Sequence, residues 1–121
     1  MNTGPWIDSN EGYLFRHVNE RHHRDGSLTS DRLEYSDARV WFNFRMLADG
    51  TKLVERVEEP TGQRLFHYTL KPDGTRHTKR HVFPSGQVWF DVTSFPNGTL
   101  KISRVEWPDG ERWFDIVRWA H

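Results

Sequence analysis

The sequence predicts an all-β protein: an antiparallel meander of about eight strands, built from 24-residue hairpin repeats. Three observations predict it. Glycine recurs every 12 residues, at Gly26, Gly50, Gly62, Gly74, Gly86, Gly98 and Gly110, with Ala38 on the one missed beat. Between the glycines lie short runs rich in Val, Ile, Thr, Trp, Phe and Tyr, which suit a pleated surface. Gly or Pro-x-Gly at every beat would break any helix.

In chain order, residues 1–12 read as a tail or edge cap, and 13–121 as one hairpin-repeat domain. The first unit is irregular. Gly12 lies 14 residues before Gly26, so its hairpin is expected to carry two extra residues near His22 and His23. The regular units begin at Ala38, Gly62, Gly86 and Gly110. Their first arms read Ala-Arg-Val-Trp-Phe-Asn-Phe, Gly-Gln-Arg-Leu-Phe-His-Tyr, Gly-Gln-Val-Trp-Phe-Asp-Val and Gly-Glu-Arg-Trp-Phe-Asp-Ile. The second arms open on Asp/Asn-Gly-Ser/Thr and place an arginine six residues after the glycine: Arg32, Arg56, Arg80 and Arg104.

Turn chemistry sets the expected register. Proline precedes Asp73-Gly74, Asn97-Gly98 and Asp109-Gly110. In a two-residue loop it would delete a ladder donor. In a type I turn it takes the first central position, and the glycine closes a G1 bulge. Three-residue loops follow. They align Leu33, Trp41, Val57, Leu65, His81, Trp89, Val105 and Trp113 in one row. Arg32, Phe42, Arg56, Phe66, Arg80, Phe90, Arg104 and Phe114 form a row on the opposite face. A third row, Phe44, Val54, Tyr68, Thr78, Val92, Ile102 and Ile116, is expected beside the arginine row. Two half-apolar faces fit an open twisted sheet, with a closed up-and-down barrel as the alternative.

The hairpins resemble MORN repeats. Trp-Pro-Asp-Gly-Glu-Arg-Trp-Phe-Asp (107–115), alternating with Pro-Asn-Gly-Thr-Leu-Lys (96–101), is similar to that family's aromatic-Pro-Asn/Asp-Gly turn and the aromatic strand after it. The resemblance spans about 38–121. It implies a scaffold for protein or lipid contacts without enzymatic activity.

Composition narrows the function classes. Lys+Arg and Asp+Glu each number 17, so the net charge is zero and an overall nucleic-acid footprint is absent. Charge is uneven: residues 1–60 hold 8 basic and 11 acidic groups, and 61–121 hold 9 and 6. With no cysteine, thiolate metal sites and thiol catalysis are excluded. The first residues lack a signal-peptide pattern, and a cytoplasmic, soluble protein is expected. His77 and His81, four apart on a strand, stand about 13 Å apart and cannot share an ion, so no metal and no cofactor are expected. Asp91 and Asp115 are equivalent repeat positions about 10 Å apart, at or beyond a glycosidase pair's spacing. No hydrolase, phosphate-loop or zinc-protease motif is present, and no catalytic residue is named.

The expected function is therefore a non-enzymatic protein-binding module of the inhibitor or adaptor kind (immunity or anti-defence), acting through an Arg/Trp-rich sheet face. Trp and Arg are enriched at interface hot spots. The binding candidates are Arg56, Arg80, Arg104, Trp41, Trp89 and Trp113, with Arg64, Arg76 and Lys79 of the basic segment 64–81. The alternative is nucleic-acid or polyanion binding through the arginine ladder and the basic patch 64–81. Self-association is a further alternative, and no membrane contact is expected.

Overall fold

A computed structural model describes residues 2–120. Among these residues, eleven strands form a single antiparallel sheet. They are β1 (Ile7–Asp8), β2 (Leu14–Val18), β3 (Arg21–His22), β4 (Leu28–Tyr35), β5 (Val40–Met46) and β6 (Lys52–Glu58). Then follow β7 (Arg64–Leu70), β8 (Arg76–Val82), β9 (Val88–Ser94), β10 (Leu100–Glu106) and β11 (Arg112–Arg118). Each strand pairs with the next, except that β2 and β3 both pair with β4. The sheet does not close: β11 is one edge, and β1 and β3 lie along the other. The open meander holds and the barrel does not.

The turns are the expected three-residue loops, with or without a proline. After β5, Gly50 N donates to Leu47 O at 2.9 Å and Leu47 N to Thr51 O at 2.8 Å. The same pair of bonds recurs after β6, β7, β8, β9 and β10. The residue before the glycine adds an Asx turn: Thr51 N donates to Asp49 Oδ1 and Thr75 N to Asp73 Oδ1, both at 2.8 Å. The first hairpin differs from expectation. His23 N donates to Ser27 O and Gly26 N to His23 O, an ordinary three-residue loop with no extra residues near His22 and His23. The irregularity lies upstream, where β1 turns back at Asn10–Gly12 and pairs Asp8 with Leu14. The tail continues along β2: Gly4 N donates to His17 O at 2.8 Å, and Thr3 bridges Val18.

The arginine row and the Trp41 row pair residue for residue as expected. The third row pairs as expected too, but it lies on the other face. In a regular strand Trp41 and Phe44, three apart, would project from opposite faces. Here their rings are 6.1 Å apart, and Trp41 meets Tyr68 at 5.8 Å. Val54 and Val57, also three apart, are each 2% exposed in one core cluster. The cause is one left-handed residue inside each of β5, β7, β9 and β11: Asn43 (φ 54°), His67 (52°), Asp91 (50°) and Asp115 (53°). Asn19 (φ 53°) holds the same phase and separates β2 from β3. Asn, Asp and His are the non-glycine residues that best tolerate this conformation.

The switch sorts the sheet into an inner, apolar face and an outer, arginine face. Leu28, Leu33, Tyr35, Phe44, Val54, Val57 and Tyr68 form the larger core cluster, and Val92, Ile102 and Val105 the smaller. Each fully buried aliphatic side chain contributes about 1.5–3 kcal/mol. On the outer face each guanidinium lies on a phenylalanine of the preceding strand: Arg56 on Phe42 at 4.2 Å, Arg80 on Phe66 at 4.3 Å, Arg104 on Phe90 at 4.1 Å. Glutamates flank two of these, Glu58 at 3.4 Å from Arg56 and Glu106 at 3.3 Å from Arg104.

Two substitutions test this geometry. His67 is exposed, so His67→Val ought to be harmless or helpful on strand propensity alone. The left-handed backbone predicts instead a loss of about 1–2 kcal/mol in denaturant unfolding. Ala38 has φ 77° on the missed glycine beat. Ala38→Gly is expected to stabilise by about 0.5–1 kcal/mol in the same measurement.

Candidate functional site

The inner face of the N-terminal half carries a groove of about 630 Å³. The alternation of β2 and β4 delivers Phe15, His17, Leu33 and Tyr35 to it, with Tyr13 just before β2, and β5 and β7 deliver Trp41, Phe44 and Tyr68. A second hollow of about 230 Å³ adjoins it, sharing Arg39, Trp41, Tyr68 and Arg76 and reaching His81 and Val92.

The aromatic side chains form a continuous lining. Tyr13 meets Tyr35 edge-on at 5.5 Å, Tyr35 lies 5.3 Å from Trp41, and His17 lies 5.9 Å from Phe44. Such pairs add about 0.5–1.5 kcal/mol each beyond area burial, so the lining is largely pre-formed. The Arg39 guanidinium lies over Tyr13 at 4.5 Å and Tyr35 at 4.4 Å, with Nε donating to Asp37 Oδ2 at 2.9 Å. Burial raises the Tyr35 and Tyr68 hydroxyl pKa values, so both stay neutral donors near pH 7.

Two cations in the groove stand out. Lys52 and Arg76 flank Leu70 in one cross-strand row, and both line the groove. Neither makes an ion pair within 4.0 Å among the described residues. The acidic side chains at the groove, Asp8 and Glu11, belong to the β1–β2 end. Glu11 Oε2 there accepts from the Tyr13 hydroxyl at 2.8 Å.

The nine residues singled out by sequence are divided by the face switch. Trp41 and Arg76 line the groove. Arg56, Arg80 and Arg104 lie on the outer face over their phenylalanines. Arg64, exposed, pairs with Glu58 and Val82 at the end of that face. Lys79 is exposed at mid-strand in β8. Trp89 packs against Phe83 at 4.8 Å and His81 at 5.9 Å. Trp113 is 53% exposed on the edge strand, its indole N–H donating to Glu111 Oε1 at 2.9 Å. The basic segment 64–81 is therefore not one patch. Sequence reasoning missed Tyr13, Phe15, His17, Tyr35, Arg39, Lys52 and Tyr68. Most sit in or beside the irregular first unit, outside the repeat's strongest columns. The period-2 pattern Tyr13-x-Phe15-x-His17 was a signal for one apolar face.

Among the described residues, no group of three or more His, Asp or Glu is placed to hold a metal ion. No helix there is long and apolar enough to cross a membrane. No family model matches the chain, and no curated protein matches it. Among solved structures it is aligned with the TCP10c domain of Drosophila melanogaster Sas-4, at 13% identity over 93% of this chain and 98% of that one, with a TM-score of 0.21. The wild-type TCP10 domain of Danio rerio CPAP aligns at 15% identity over 91% and 92%, with a TM-score of 0.14. The same domain in complex with a peptide of Danio rerio STIL aligns at 14% identity over 95% and 99%, with a TM-score of 0.13. At such scores the likeness transfers neither fold nor function.

Two half-buried histidines give the site a pH dependence. Burial lowers the pKa of His17, with Glu20 opposing, and burial lowers that of His81. Both shift down, so below the ordinary imidazole value of 6.5 the unfolded chain binds more protons than the folded one. Stability is expected to be full above pH 6.5 and to fall as the pH drops below it. Melting curves at pH 7.5 and pH 5 check this: a His17→Gln/His81→Gln variant should show a smaller difference between them than the parent.

Proposed function

We propose that this chain is a non-enzymatic protein-binding module of the inhibitor or adaptor kind. Its inner-face groove takes an extended segment of a partner protein. The observation that carries the reading is the aromatic groove of about 630 Å³ holding two cations, Lys52 and Arg76, without an ion-pair partner among the described residues. An occupant that complements it has an aromatic or aliphatic side chain for the lining and a carboxylate for the cations. Pre-formed apolar walls with a few polar groups are the usual form of a binding cleft. Aromatic and arginine side chains are also those that dominate interface energetics. The resemblance to MORN hairpins supports a scaffold role.

The outer arginines support a polyanion reading less well. Their guanidinium groups are stacked on rings, and glutamates flank Arg32, Arg56 and Arg104.

Selection from a displayed random-peptide library tests the proposal. Peptides retained by the parent protein should carry Asp or Glu within a few residues of an aromatic side chain. A Lys52→Glu/Arg76→Glu variant, shown folded by circular dichroism, should bind them at least about tenfold more weakly, since a hydrogen bond to a charged group contributes about 1.5–3 kcal/mol. Selected peptides without acidic residues, or affinity unmoved by charge reversal, would contradict it. Retention on heparin that falls steeply with salt would favour the polyanion alternative.

A further inference from the structure

The repeat shows what each odd strand receives from the strand after it. Phe42, Phe66 and Phe90 each receive a guanidinium, from Arg56, Arg80 and Arg104. Trp41, Leu65 and Trp89 are paired with Val57, His81 and Val105. The turn glycine that opens the strand receives a proline from the turn that closes the next one: a Cβ built on Gly62 would stand 3.2 Å from Pro84 Cγ, and one on Gly86 2.8 Å from Pro108 Cγ.

At β11 all three seats are open. Phe114 is 62% exposed and Trp113 53%. A Cβ on Gly110 would meet nothing within 4 Å. Among the described residues, no strand lies against one edge of the β11 backbone, and an unpaired edge is a template for another strand. Val117 at 40% and Trp119 at 69% extend the exposed apolar surface.

We propose that the outer edge of β11 is a second binding site, separate from the groove, which takes an antiparallel strand of another polypeptide. The repeat specifies that strand's chemistry. Its three internal occupants read Val54-x-Arg56-Val57-x-x-Pro60, Thr78-x-Arg80-His81-x-x-Pro84 and Ile102-x-Arg104-Val105-x-x-Pro108. The ligand is thus a β-branched residue, an arginine two residues on, a residue for the Trp113 seat beside it, and a proline four residues after the arginine. Ladder hydrogen bonds supply affinity, and the side-chain seats supply selectivity. A second folded copy cannot supply this strand, because β4, β6, β8 and β10 are paired on both edges.

The test uses the full chain and a synthetic peptide, Leu-Lys-Ile-Ser-Arg-Val-Glu-Trp-Pro, which copies residues 100–108. The expected result is saturable movement of the β11 amide resonances at peptide concentrations up to about 1 mM. Replacing the peptide's arginine by alanine should weaken binding about two- to fivefold, the size of an exposed cation–π contact. With a Phe114→Ala protein the two peptides should bind equally. Phe114 is exposed, so this variant should keep the fold, and circular dichroism checks it. Failure of β11 to respond in folded protein, or equal binding of both peptides by the parent, would overturn the proposal. A dimer in sedimentation that the peptide does not dissociate would overturn it too, assigning the edge to self-association. None of these readings depends on Lys52 or Arg76, so the groove and the edge stand or fall separately.

Discussion

One left-handed residue in the middle of each of β5, β7, β9 and β11 governs the rest of this structure. A single sheet of alternating residues would expose half of its apolar side chains. By reversing the alternation at Asn43, His67, Asp91 and Asp115, the chain places the rows of Trp41 and Phe44 on one face. A one-layer sheet thereby obtains a core, with Val54 and Val57 of the same strand both 2% exposed. The reversal costs about 1–2 kcal/mol for an ordinary residue in each strand, and less for Asn, Asp and His, which tolerate this backbone best. Burial of Val, Leu and Phe side chains at about 1.5–3 kcal/mol apiece outweighs that cost.

The turns transmit the order along the sheet. Each Pro-x-Gly or Asp/Asn-Gly turn closes by the same two backbone bonds, so the register never slips. Gly86 against Pro108 leaves no room for a side chain, with 2.8 Å to a hypothetical Cβ. The consequence is a structure that grows by addition, each hairpin seating the next. Its ends differ in kind: the tail covers β2 through Gly4 and Thr3, whereas β11 presents Trp113 and Phe114 uncovered. The groove exists for a related reason, since the first unit brings Tyr13, Phe15 and Tyr35 over the same face.

Much of the fold was legible because it follows from turn chemistry. The prolines before Asp73, Asn97 and Asp109 implied three-residue loops, and those loops implied every pairing from Leu33 to Trp113. The face of the Phe44 row was missed. A column of Asn43, His67, Asp91 and Asp115 between aromatic neighbours was visible, but period-2 reasoning assumes an unbroken extended backbone. The sites were less legible for the same reason. Arg76 and Arg80 are four apart and would share a face in a regular strand, yet one lines the groove and the other stacks on Phe66. Tyr13 and Tyr35 belong to the irregular unit, where the repeat offers no template.

Function in this reading comes from departures from the repeat: a first unit that builds a groove, and β11, whose outer edge meets no strand among the described residues. Both depend on the reversal at the left-handed column. The most direct measurement is a nuclear Overhauser spectrum of the folded chain. The expected result is contacts from the Trp41 indole to the rings of both Phe44 and Tyr68, and a positive φ at Asn43 from its backbone couplings. Contacts from Phe42 to Phe44, with none between Trp41 and Phe44, would restore regular alternation and contradict it.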